Sequence, residues 1–178
     1  MRRQRITCSD ELLMQAAREL QALLKRGFDH LARGEIDAAV ACCKEALRRQ
    51  PDLVPAHFLV GLVALEAHDR KTAFSAFGSV TQLQKDHAAA WAHLAKLFMS
   101  DGQVNRADAA LLEARRANSD DPMVHDLLGT VCSQMGEFDE AREWFEKAVA
   151  GRPGHPPFLL NLANNLVYHG KTGQAGEL

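Results

Sequence analysis

The chain has almost no net charge: 21 lysines and arginines stand against 23 aspartates and glutamates in 178 residues, a formal charge of -2. Proteins that neutralise phosphates carry a positive excess, so nucleic acid and anionic membranes are poor expected partners. Cysteine is scarce, limited to Cys8, Cys42, Cys43 and Cys132, and no pair has the spacing of a disulfide framework or a zinc knuckle. A reducing compartment follows as the expectation. Long apolar runs are also missing, since nothing approaches the ~20 uninterrupted apolar residues of a membrane-spanning helix. The basic start, Met1 to Cys8, leads into Ser9, Asp10 and Glu11 instead of the apolar centre of a signal peptide. The expected location is cytoplasmic, without membrane insertion.

Chemistry-bearing motifs are equally sparse. No glycine-rich phosphate cradle, no Gly-x-Ser-x-Gly elbow and no strand-forming stretch to carry either is present, so no catalytic residue and no cofactor are expected. His87 and His93 are six apart, and no second histidine or carboxylate follows at i+4 in the manner of a zinc-binding helix. No metal site is expected. Cys42 and Cys43 lack the basic, helix-N-terminal setting that activates a thiol, and Cys43 reads as a small inward hydrophobe beside Ala39 and Ala46.

What the chain does have is a period. At 47% apolar and 25% charged residues it has the composition of a folding chain. Small residues recur every 34 positions: Ala39, Ala73, Ala107, Ala141 and Ala175 form one series. Gly27, Gly61, Ala95, Gly129 and Ala163 form a second, and Gly34, Gly102, Gly136 and Gly170 a third, in the same register. Three ladders in one register identify a repeat. Each unit reads as two helices. Pro122 opens a run with Leu128, Val131 and Cys132 on one side, and Gly136 reverses the chain through a left-handed residue. A second helix starts near Asp139, carries Ala141, Trp144, Phe145 and Ala148, and stops before Pro153. Glycine or alanine at positions 129, 141 and 148 lets the two axes approach, while Leu128 and Phe145 fill the wider gaps.

Trp91-Ala-His-Leu94-Ala95, Leu128-Gly129, Gly136-Glu-Phe-Asp-Glu-Ala141 and Ala148 followed by Pro153 resemble the tetratricopeptide repeat. The resemblance implies an all-α fold, a right-handed α-solenoid of antiparallel helix pairs. Units are expected at 20–53, 54–87, 88–121 and 122–155, with a partial fifth at 156–178 and residues 1–19 as an N-terminal capping extension with Ser9 as its N-cap. The second unit departs from the pattern, with His68 in place of the turn glycine. His30, His57 and His125 fall where the family often has an aromatic ring, so half-buried packing is expected of them. Arg48, Arg49, Arg115 and Arg116 end second helices, where cations suit the helix dipole and solvent.

The resemblance also implies where binding is written: the outward places of each first helix. In the first two units these are Leu24, Phe28, Leu31, Phe58, Leu59, Leu62 and Leu65, an apolar half-groove. In the last three they are His93, Lys96, Asp126, Thr130, Ser133, Gln134, Asn161, Asn164 and Tyr168, a polar half rich in hydrogen-bonding groups. The places that form a carboxylate clamp for chaperone tails hold Leu24, Phe28, Leu59, Ala89 and His93 here, so that ligand is disfavoured. The expected function is a non-enzymatic interaction module that binds a protein or peptide, with a homo-oligomer as a further option. The alternative is the substrate-docking arm of a larger enzyme, because Asn161-Leu-Ala-Asn164-Asn165 resembles repeats ahead of some glycosyltransferase and sulfotransferase domains. The glycine-rich end, Thr172 to Leu178, lacks a polar cap and reads as the edge of a fragment.

Overall fold

A computed structural model describes the backbone of residues 8–176 and the side chains of residues 12–170. Among the described residues there are nine helices and no strand. They are α1 (Cys8–Ala32), α2 (Ile36–Arg49), α3 (Val54–Glu66), α4 (Arg70–Leu83), α5 (Ala88–Ser100), α6 (Val104–Arg116), α7 (Pro122–Met135), α8 (Phe138–Gly151) and α9 (Pro156–Gly176). None of them is long and apolar enough to cross a membrane. The all-α fold expected from the sequence is the one observed.

The turns inside the helix pairs explain the period. Gly34, His68, Gly102 and Gly136 all have positive φ, at 73°, 57°, 70° and 84°. After each of them the next amide reaches back to close the same bond, Glu35 to the His30 carbonyl, Asp69 to Ala64, Gln103 to Phe98 and Glu137 to Cys132, at 2.8–2.9 Å. Those bonds, with the ones that the left-handed residues themselves donate three residues back, make the Schellman ending of a helix. A second device sits between pairs. The ring N–H of His57 donates to the Pro51 carbonyl (2.8 Å), that of Trp91 to Lys85 (2.8 Å) and that of His125 to Ser119 (2.9 Å), each six residues upstream. Histidine can replace tryptophan at this place because both offer a ring N–H at the end of a flat, half-buried side chain.

Contacts divide the chain into two compact units, separated within α4 between Ser79 and Val80. In the first, α1, α2 and α3 pack on one another. Ala39, Cys43, Leu59 and Val63 are buried together, with Phe28, Leu31 and Ile36 packed against them. Leu23, Ala46 and Ala56 form a neighbouring cluster with Leu24 and Leu53. In the second unit α5 pairs with α6, α7 with α8, and α9 lies against α8. Close approach requires small residues: Ala39, Ala73, Ala107 and Ala141 are all 0% exposed. A Cβ on Gly61 would sit 2.5 Å from the Phe77 ring, and one on Gly129 2.7 Å from Phe145. No side chain fits at either position without moving an aromatic ring.

Both ends differ from expectation. Helix α1 is already under way at Cys8, so Ser9 lies inside it and is no N-cap, and the 12–14 stretch stands in solvent, Leu12 at 64% and Leu13 at 68% exposure. At the other end α9 runs unbroken through Gly170 and Gly173, so neither sits in a turn. Ala163 is exposed, unlike its counterparts Gly27, Gly61, Ala95 and Gly129. The side chains of Cys8 and Ala175 lie outside the described residues.

His68 holds a left-handed backbone that glycine adopts without steric cost. His68→Gly is therefore expected to raise stability by about 0.5–1 kcal/mol in urea unfolding; an unchanged or lowered midpoint would contradict the strain. His125→Phe keeps the ring and removes its N–H, and should cost about 1 kcal/mol in the same experiment.

Candidate functional site

The outward places of the first helices carry the candidate residues, and the two units present different chemistry. In the first unit Leu24, Phe28, Leu31, Phe58, Leu62 and Leu65 are half-buried. Leu59 is not outward at all. It is 0% exposed, because Gly27 has no side chain and the Leu59 methyl group fills that space against α1. Phe58 meets Phe77 edge to face, centroids 5.7 Å apart, and Phe28, Leu31 and Leu24 lean on the two core clusters. The apolar surface here is thus shared between core and solvent, so a partner would cover only the outer part of each side chain. More exposed apolar groups lie elsewhere, notably Leu160, Val167 and Tyr168 on α9, at 61%, 54% and 58% exposure.

The second unit brings together polar residues that are far apart in sequence. Asn161 on α9 donates from Nδ2 to Oδ1 of Asp126 on α7, at 2.8 Å. Burial pushes the Asp126 carboxyl above its ordinary value, and the Asn161 hydrogen bond and the charges of Lys96 and His155 oppose the rise. Lys96 on α5 is exposed and makes no ion pair among the described residues. Its neighbour His93 is half-buried. Burial first, then the Lys96 and His87 charges, push its imidazole down to about 4, so it is neutral near pH 7. Thr130 spends its hydroxyl hydrogen on the Asp126 carbonyl one turn back, at 2.9 Å. Asn164 is exposed. Asn165, beside it in sequence, has a different job: 2% exposed, it donates to the Phe138 carbonyl at 2.9 Å and ties α9 to α8.

Lys96, Asp126 and Asn161 therefore converge from three successive first helices. The ammonium offers donors, the second carboxylate oxygen of Asp126 an acceptor, and the Asn161 amide one further donor and an acceptor. That set matches the alternating carbonyls and N–H groups of a peptide main chain.

Arg115 escaped the sequence reading, which made it a solvated helix end. Its guanidinium is half-buried and bridges three elements: 2.6 Å to Glu140 and 3.8 Å to Glu137, with a hydrogen bond to the Cys132 sulfur at 3.3 Å. Cys132, Glu137 and Glu140 are close enough to hold a cation, and the guanidinium already serves as that cation. Burial pushes the Cys132 and Cys43 thiols up to about 11, so both are protonated and unreactive near neutrality. Arg48 and Arg49 remain exposed helix-end residues paired with Glu45 at 2.8 and 2.7 Å.

Comparison with known proteins adds to this geometry. Three family models, each described as tetratricopeptide repeat, match residues 24–90, 64–130 and 124–154. The chain is 34% identical over 82 residues to human tetratricopeptide repeat protein 7B, a match spanning 44% of this chain and 9% of that protein. It is 27% identical over 93 residues to human superkiller complex protein 3, spanning 52% of this chain and 6% of that one. The match thus takes in under a tenth of each relative. Among solved structures, a thermophilic TPR protein of Thermus thermophilus superposes with a TM-score of 0.70 at 18% identity, covering 89% of this chain and 87% of that one. YrrB, described as a TPR protein with an unusual peptide-binding site, gives 0.57 at 18% identity, covering 93% and 85%. At these identities the structural likeness carries the fold alone.

The two perturbed groups set opposite pH dependences. Between 6.5 and about 4 the unfolded chain takes up a proton that folded His93 refuses, so stability falls as the pH is lowered across that window. His93→Gln is expected to flatten that loss. Asp126 behaves inversely. Its raised folded pKa gives stability that is present below 3.8 and lost as pH rises through the raised value. Asp126→Asn should therefore gain on the wild type as pH rises through that range, read as the difference between their unfolding midpoints at acid and neutral pH; a constant difference would contradict the assignment.

Proposed function

Because the chain belongs to the tetratricopeptide repeat family, we propose that it is a non-enzymatic protein-interaction scaffold whose first helices hold a partner peptide or helix. The observation that carries the reading is the convergence of Lys96, Asp126 and Asn161 from α5, α7 and α9. Such a row pairs with a main chain irrespective of its side chains, so it supplies grip and direction. The first unit offers a separate apolar surface, the outer parts of the half-buried Phe58, Leu62 and Leu65, which suits a large apolar side chain. Affinity in such an interface concentrates in a few buried apolar anchors, and the polar groups orient the ligand.

Partner chemistry follows from the same residues. Lys96 is the one cation of the row and faces Asp126 close by, so the row is balanced in charge. A carboxylate-terminated ligand gains little there, and an uncharged extended segment bearing a large apolar side chain fits better. YrrB's description as peptide-binding lends support by analogy of fold.

Peptides selected from a random library on the intact chain provide the test. For a selected peptide, Leu62→Glu and Phe58→Ser should each weaken binding about tenfold, or about 1.4 kcal/mol, by calorimetry. Lys96→Ala should alter mainly the salt dependence. Equal binding by the three variants and the wild type would overturn the reading.

A further inference from the structure

The second unit holds a cavity that shares no residue with the Lys96, Asp126 and Asn161 row. It has a volume of about 350 Å³ and lies between the end of α6, the turn into α7, and α8. Leu128, the rings of His125 and Trp144, and the charged residues Arg115, Asp120 and Lys147 line it. The volume suits one side chain of a partner or a small ligand. Its charges decide which kind.

Arg115 carries ion pairs to Glu140 and Glu137, at 2.6 and 3.8 Å, and its Nε is buried without a hydrogen-bond partner. The Asp120 carboxylate, by contrast, is exposed and has no ion pair among the described residues. Helix α6 ends here, and a helix C-terminus bears partial negative charge. His125 donates from Nε2 to the Ser119 carbonyl, and its other ring nitrogen, Nδ1, is buried without a hydrogen-bond partner. The open acceptors of the wall are therefore the Asp120 carboxylate and His125 Nδ1, while Glu140 and Glu137 neutralise the Arg115 charge. A cation is already in place: the Lys147 ammonium lies 4.0 Å from the centroid of the Trp144 ring. Cation–π attraction of that kind is weak at an exposed site, so a better cation can displace it.

We propose that this cavity binds the guanidinium group of a partner's arginine, which stacks on Trp144 in place of Lys147 and pairs with Asp120. Guanidinium suits the place better than ammonium, because it is planar, weakly hydrated and stacks on aromatic faces. Lys147 then acts as a built-in competitor that sets a threshold for the incoming group. It is exposed and can swing into solvent without leaving a void.

Methylguanidinium chloride added to the intact chain is the probe, with the Trp144 indole N–H followed by NMR and the Trp91 indole as internal reference. The expected result is a saturable shift of the Trp144 signal alone. Lys147→Ala should tighten binding roughly two- to fivefold by removing the competitor, Asp120→Asn should weaken it, and n-butylammonium should bind less well. No saturable shift in either the wild type or Lys147→Ala overturns the proposal. So does a Lys147→Ala variant that binds no more tightly, or a Trp144 shift produced by sodium acetate.

Discussion

The structure depends on the closest approach of two helix axes within each repeat. Where first and second helices meet, only glycine or alanine fits, and the neighbouring large side chain is cut to that absence. Phe77 lies on Gly61 and Phe145 on Gly129 so tightly that a single methyl group would overlap the ring. Packing at this density leaves no slack to absorb a change, so the pairing register is fixed and the period of 34 follows from it. The Schellman turns at Gly34, His68, Gly102 and Gly136 then deliver each second helix to the same place. Because each such contact is local to its repeat, stability is a sum of pair and neighbour terms.

Local packing also frees one face of each first helix, and there the chain can carry groups that a core would reject. Asp126 shows what that costs: its carboxyl is partly desolvated, and only the Asn161 amide and the charges of Lys96 and His155 keep it from rising further. Arg115 shows the other solution, a half-buried cation surrounded by Glu137, Glu140 and the Cys132 sulfur. Asp126 has a side-chain hydrogen bond from Asn161, and Arg115 is enclosed by partners of its own chain. Burying a charge demands partners in either case, and the difference lies in whether the fold supplies all of them.

Much of this was legible in the sequence because the period is one-dimensional. Ladders of small residues mark the helix pairs, and His68 stands in the turn-glycine place of that ladder, where its φ is 57°. Contacts between neighbouring repeats were harder to read. Asn161 and Asp126 are 35 residues apart, one period plus one, and no local pattern says that their side chains meet. Leu59 occupies an outward place of the repeat, yet the empty space over Gly27 draws it inward. Arg115 sits beside Arg116 in sequence, and only its position opposite Glu140 separates their roles. At the end of the chain the ladder misled. Nothing among the described residues packs on the far side of α9, so helical hydrogen bonding continues through Gly170, and Ala163 faces solvent. A small residue marks a close approach only where something approaches.

The most direct measurement of that constraint is a double-mutant cycle on Gly129 and Phe145, read as unfolding free energies in urea. Gly129→Ala alone should destabilise by forcing the ring aside, and Phe145→Leu alone by leaving a void. Together the added methyl group enters the space that the ring vacates, so the pair should be more stable than the sum of the single effects by about 0.5–3 kcal/mol. Additive effects would contradict the account, because they would mean that the glycine and the ring do not share one space.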